Sequence, residues 1–152
     1  MGNEDLFSQS AIELKRLIAT KQISPVELVE KSISRQEGLE PKLNAFVTTT
    51  PDVAREAAKR AERAVMAGEE LGLLHGLPIT VKDTIPVAGI RSTMGSRVFA
   101  VVVAEEDAPA VVRIRYHGAC IFGKITTPEF GRNLVGDSPL TAITRNPWDL
   151  QP

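Results

Sequence analysis

The stretch DAPAVVRIRYHGACIF, residues 107–122, carries the fold decision. Residues 107–117 read as a helix with Val111, Val112 and Ile114 on its apolar side, and Gly118 stops it. The next four residues, 119–122, are apolar and too few for a helix, so they read as a short buried strand. A second β-prone piece, Ile79-Thr-Val81, lies upstream between prolines and glycines. Helices alternating with short apolar strands predict an α/β layer architecture.

Working outward, the N-terminal part is helical. Ser10-Ala-Ile-Glu13 is a capping-box pattern, followed by an apolar face of Ala11, Leu14, Leu17 and Ile18. Ser24 caps a second helix, with Pro25 in its first turn, Glu27 placed to reach back, and Val26, Val29 and Ile33 at helical spacing until Gly38. Residues 43–47 look strand-like. Thr50-Pro51-Asp52 then opens an alanine-rich helix (Ala54, Ala57, Ala58, Ala61, Ala64) that Gly68 ends. From Gly123 onward the chain reads mostly as loop. The expected organisation is one domain portion, 1–152, with a helical start over 1–70 and the start of a sheet core over 71–152. No repeat or linker interrupts it, and the ending at Pro152 reads as an interruption.

Composition excludes several function classes. The 152 residues hold 18 Lys+Arg against 19 Asp+Glu, a net charge of −1, so no basic footprint points to nucleic acid or an anionic membrane. Five Phe, one Tyr and one Trp are too few for a base-stacking surface. One cysteine and two histidines exclude an intramolecular disulfide and the zinc-cluster spacings. No apolar run reaches about 18 residues, and the charged first twenty residues are no signal peptide. A soluble, cytoplasmic protein is expected.

Single motifs have ordinary explanations. Gly118 to Lys124 fits most of a phosphate loop, but Ile125 replaces the required hydroxyl, strand formers fill the loop, and Pro128 cuts off the following helix. No cofactor is implied. Cys120 between Ala119 and Ile121 reads as a buried, inert thiol, and His75 and His117 beside glycines as turn or surface residues. The run Glu105-Glu106-Asp107 complements the dipole of the helix after it. Lys82 ends the apolar piece Pro78-Ile-Thr-Val81 and precedes Asp83. A strand-end lysine can snorkel to water. Neighbours on a strand face opposite ways, so Asp83 is badly placed to neutralise Lys82, and an inward Lys82 must be paired elsewhere or held neutral. The residues themselves leave both possibilities open.

Taken in order, the motifs form a pattern. It runs through Ile23-Ser-Pro-Val-Glu-Leu-Val29, Leu43-Asn-Ala-Phe46, Gly76-Leu-Pro78-Ile-Thr-Val-Lys82-Asp83, Gly89 and Ser92-Thr-Met-Gly-Ser96. Asp107, Val111-Val112, Gly118-Ala119 and Gly123-Lys124-Ile-Thr-Thr-Pro128-Glu129-Phe130-Gly131 follow, then Asp137-Ser-Pro-Leu140 and Thr144-Arg-Asn-Pro-Trp-Asp149. This resembles the amidase signature family over nearly the whole chain. Ile125 and Thr126 depart from the usual Thr and Asn or Thr, and Ala142 stands where a glycine is usual.

The resemblance implies a mixed β-sheet flanked by helices and amide hydrolysis by a Ser–cisSer–Lys triad, with Lys82 as its lysine and a small-molecule amide as substrate. An inward, neutral Lys82 would accept a proton from the bridging serine. Both serines belong to or follow a G-G-S-S-G-G segment expected just after Asn-Pro-Trp, so the chain reads as truncated before it and inactive alone. Ser92, Ser96 and Ser138 are expected in turn or hydrogen-bonding roles, and Lys124 in a structural one. No metal or organic cofactor is implied, and neither direct nucleic-acid nor membrane binding. The alternatives are the A-type component of a tRNA-dependent amidotransferase with partner subunits, a homo-oligomer, or a non-catalytic truncated chain or interaction module.

Overall fold

The computed structural model describes residues 6–150. Helix α1 (Ala11–Ala19) is capped by Ser10, whose Oγ accepts the Glu13 N–H at 3.2 Å. The Glu13 carboxylate grips Arg16 instead of reaching back, at 2.6 and 2.9 Å, so only half of the capping box forms. Leu17 and Ile18 are buried while Ala11 is exposed. Helix α2 (Pro25–Leu43) starts as expected, with Ser24 Oγ accepting the N–H groups of Val26 and Glu27 at 3.0 and 3.3 Å.

The expected stop of α2 at Gly38 is corrected. The helix runs through Gly38 and Pro41 to Leu43. A glycine inside a helix costs only about 1 kcal/mol against alanine, too little to end one by itself. The stop falls at Asn44, in the left-handed region at φ 51°, where the Glu40 carboxylate accepts the N–H groups of Ala45 and Phe46 at 3.1 and 2.9 Å. Helix α3 (Pro51–Ala67) buries Ala54, Ala58, Ala61 and Val65, one stripe at helical spacing, and ends at Gly68. Helix α4 (Pro109–Tyr116) ends before Gly118, at φ 82°. A Cβ on Gly118 would lie 2.7 Å from His75 Nδ1, so both the conformation and the close approach require glycine.

Strand β3 (Cys120–Ile125) is the middle of a three-stranded sheet, between β1 (Phe46–Thr49) and β2 (Pro78–Lys82). β1 runs antiparallel to β3, with Phe46 opposite Ile125, Thr48 opposite Lys124, and a bulge between Phe46 and Thr48. The Cys120 N–H donates to Leu77 O at 2.8 Å where β2 and β3 begin. The Asp83 N–H donates to Ile125 O at 3.0 Å where they end, so these two strands run the same way. The sheet is mixed, as in the amidase signature fold. β3 is longer than the strand expected over 119–122, which corrects the loop expected from Gly123. The extra residues are ordered by pairing with β1, a contact that local sequence cannot register. Gly123 permits that pairing, since a Cβ there would lie 2.8 Å from the Phe46 ring.

The chain forms two compact units. One comprises the chain up to Arg35 with residues 51–79 and 113–122; the other comprises residues 36–50, 80–112 and the chain from Gly123. The first holds two apolar clusters. Leu17, Ile18, Ile23, Leu28, Val65 and Leu77 form one, and Val29, Ile33, Ala54, Ala58 and Cys120 the other. The second unit buries Val81, Val87, Ile90 and Val111 and adds a set of polar contacts. Its residues 89–92 pair with 102–104 through Gly89 N–H to Ala104 O (2.9 Å) and Ser92 N–H to Val102 O (2.9 Å), a ladder absent from the sequence reading. The Arg91 guanidinium donates to Thr48 Oγ1 at 3.1 Å and to Val47 O. Among the described residues no helix is long and apolar enough to cross a membrane.

A small hairpin joins β4 (Asp137–Ser138) to β5 (Ala142–Ile143), with Ser138 opposite Ala142. Its three-residue loop is followed by Ala142 at φ 58°, the left-handed position that glycine takes in such hairpins. The departure from the family glycine therefore falls where a Cβ is penalised. A left-handed alanine costs about 1–2 kcal/mol, and glycine gives back part of that through a freer unfolded chain, about 0.4–1 kcal/mol. Ala142→Gly is expected to raise stability by about 0.5–1 kcal/mol, read as a small upward shift of the thermal midpoint.

Candidate functional site

Lys82 is the last residue of β2 and is exposed, which corrects the inward direction expected of it, while Asp83 after it is fully buried. The alternation of strand side chains separates them, as the sequence indicates. Neither an ion pair nor a side-chain hydrogen bond engages Lys82 among the described residues. The chain turns directly after it, with the Ile85 N–H donating to Lys82 O at 2.9 Å.

Asp83 is held at every polar atom. Its N–H donates to Ile125 O at 3.0 Å, and its carbonyl accepts from Lys124 Nζ at 3.3 Å. Its carboxylate accepts from Lys124 Nζ at 3.1 Å, from the Thr93 N–H at 3.1 Å, and from the Thr93 hydroxyl. Lys124, on β3, is also wholly buried, and its third acceptor is Ser92 Oγ at 2.6 Å. Three acceptors match the three protons of an ammonium. Burial pulls the Lys124 amine below its ordinary pKa, against the carboxylate and hydrogen bond of Asp83, which favour the charged form.

The motif residues 92–96 form the floor of this cluster. Thr93 Oγ1 accepts the Gly95 N–H at 3.1 Å, and Gly95 itself sits at φ 70°. A Cβ on Gly95 would lie 2.5 Å from Thr127 O, so only glycine allows the two segments to touch. Ser96 donates to Glu129 at 2.8 Å, and the Phe130 N–H donates to Met94 O at 2.8 Å. Ser138 Oγ accepts the N–H groups of Leu140 and Thr141 at 3.3 and 3.1 Å. Ser92, Ser96 and Ser138 are thus hydrogen-bonding residues, as expected. A cavity of about 790 Å³ opens beside Ser92, walled by Met94, Phe99, Val102 and Val103 and rimmed by Glu105 and Glu106.

Two expectations elsewhere are settled by burial. His75 lies in a turn, as expected, but is buried there, with its Nε2 2.9 Å from Ala61 O. The reason is tertiary: α3 brings that carbonyl over the turn. Cys120 is fully buried, and loss of hydration pushes its thiol up to about 11, slightly opposed by Arg60. No group of three or more metal-ligating side chains occurs among the described residues.

The Asp83–Lys124 pair escaped sequence reasoning. Its one available signal was a lysine inside an otherwise apolar run, Cys120 to Ile125, where a solvated charge has no outlet. Comparison with known proteins gives this arrangement its context. Residues 27–152 match the Amidase family. The chain belongs to that family. It is 41% identical over 143 residues to the A-type component of glutamyl-tRNA(Gln) amidotransferase from Symbiobacterium thermophilum, covering 93% of this chain and 29% of that protein. It is 36% identical over 146 residues to the corresponding protein of Heliobacterium modesticaldum, covering 96% of this chain and 30% of that one. A bacterial aryl acylamidase of the amidase signature family superposes with TM-score 0.87 at 34% identity, over 93% of this chain and 30% of the enzyme. Fatty acid amide hydrolase, 21% identical, shares the fold with TM-score 0.91, over 97% of this chain and 26% of that chain. The chain spans about 30% of the length of these amidase-family relatives.

Two measurements check this region. Lys124→Met strands a buried carboxylate and is expected to cost about 3–5 kcal/mol, whereas Asp83→Asn/Lys124→Met together recover part of that loss in denaturant titrations. A thermal or denaturant midpoint unchanged by Lys124→Met would contradict the pair. Cys120 is expected to resist thiol reagents until the protein unfolds. Its raised folded pKa contributes stability that is complete below the ordinary thiol value of 9.0 and is lost as pH rises toward about 11. Cys120→Ala is expected to flatten that alkaline decline.

Proposed function

We propose that residues 1–152 form part of a single amidase domain whose catalytic base is Lys82, and that the activity of the whole is hydrolysis of a small-molecule amide. The observation that carries this reading is the motif Gly76 to Asp83 of an amidase-family chain ending at an exposed lysine. That lysine lies outside the buried ion pair, so its amine is free to act on another group. The other cation of the region, Lys124, is committed to three acceptors and has no access to a substrate.

In this mechanism the Lys82 amine accepts a proton from a bridging serine, which takes one from the nucleophilic serine. The nucleophile attacks the amide carbonyl, ammonia or an amine leaves, and water cleaves the acyl-enzyme. Neither serine is supplied by these 152 residues, because Ser92, Ser96 and Ser138 are held in hydrogen bonds and no G-G-S-S-G-G segment is present. The chain contributes the base; it acts in the cytoplasm without metal or organic cofactor.

A second reading has its own support. The relatives named as the A-type component of glutamyl-tRNA(Gln) amidotransferase, at 36–41% identity, favour an ammonia-releasing chain working with partner subunits. Glutamine would then be the amide cleaved. Ammonia release from glutamine, with partners co-purifying, against release from simple aliphatic and aryl amides without them, separates the two readings.

The complete gene product carrying Lys82→Ala is expected to lose about a thousandfold or more in kcat while keeping its thermal midpoint. Near-normal turnover by that variant would overturn the role of Lys82. Residues 1–152 alone are expected to release no ammonia; turnover that survives loss of Ser92, Ser96 and Ser138 but dies with Lys82→Ala would show that no further serine is needed.

A further inference from the structure

We infer that Asp83, Thr93 and Lys124 are positioning residues for Lys82: they clamp the residue that follows it and so fix the direction of its side chain. The inference rests on the reading of Lys82 as the base. Its ground is the completeness of the restraint. The N–H, the carbonyl and both carboxylate oxygens of Asp83 are all engaged, by Ile125, Lys124 and Thr93, in a site with no exposure. Among the described residues Lys82 has no side-chain partner of its own, so its direction is set through the backbone it shares with Asp83. That backbone has little freedom left. It is tied to β3 on one side of the peptide and closed by the Ile85 to Lys82 turn on the other.

A buried ion pair gives little net stability compared with apolar residues of the same volume, so packing alone does not call for one here. It does fix geometry. A base misplaced by about 1 Å can lose roughly a hundredfold in rate. The energy of the pair is spent at the peptide next to Lys82, where a small rotation would swing the amine most.

Thr93→Val removes the hydroxyl bond to the Asp83 carboxylate and the bond accepted from the Gly95 N–H, keeps the side-chain shape, and leaves the ion pair in place. Hydrogen exchange of the complete gene product, read by mass spectrometry, is expected to speed about tenfold in peptides covering residues 80–86. Peptides of α3, residues 54–66, should stay within about twofold. In steady-state amide hydrolysis kcat is expected to fall about tenfold or more with KM within about threefold. Asp83→Asn, assayed well below its thermal midpoint, should do the same more strongly. Unchanged exchange over 80–86, equal loosening of both regions, or an unchanged kcat in a Thr93→Val protein whose exchange has loosened would each overturn the inference. Lys82→Ala assayed alongside keeps the two ideas apart. If it retains turnover, the base is elsewhere, whatever the exchange shows; if it is dead while loosened Thr93→Val is fully active, Lys82 is the base and the clamp does not position it.

Discussion

Two opposite charges, Asp83 and Lys124, lie fully out of water at the end of the parallel pair β2 and β3. Each would be costly alone, and together they are tolerated because every remaining donor and acceptor is matched. The match demands one register. A one-residue slip of β2 would turn Lys82 toward Lys124 and set two cations against each other without water. The pair therefore decides which of two adjacent residues is sealed away and which is left at the surface, and the chemistry proposed for Lys82 depends on that choice.

The surrounding loops exist to complete this arrangement. Ser92 and Thr93 reach the pair only because the chain turns sharply through Met94 and Gly95, both in the left-handed region. Gly95 then lets Thr127 approach to a distance no side chain would permit. Ser96 and Glu129 tie the same two segments a second time. Small and polar residues dominate around the pair for a steric reason, while Leu17, Ile18, Leu28 and Leu77 cluster in the other unit.

Several elements are marked by local signals alone. Ser10, Ser24 and Pro51 mark helix starts because capping is settled within four residues. Gly68 and Gly118 mark ends because a left-handed backbone selects glycine. The alanine stripe of α3 faces inward because helical periodicity leaves no other option. Local rules failed where a second partner, near or far, competed with the expected one. Glu13 chose Arg16 over the backbone, and Gly38 was overruled as a helix end by Asn44 and Glu40. β3 was extended by β1, 70 or more residues away in the chain.

The amino-acid sequence by itself determined the α/β class, most element starts and ends, the buried thiol of Cys120, and the family. It also determined that Lys82 and Asp83 face apart, since alternation is a property of any strand. Only the tertiary structure decided which of the two is buried, and that Lys124, 41 residues further on, supplies the opposite charge. The reason is physical. Periodicity and capping act over a few residues and leave a trace in the sequence, whereas the pairing of two buried charges depends on which strands become neighbours, and no local spacing records that.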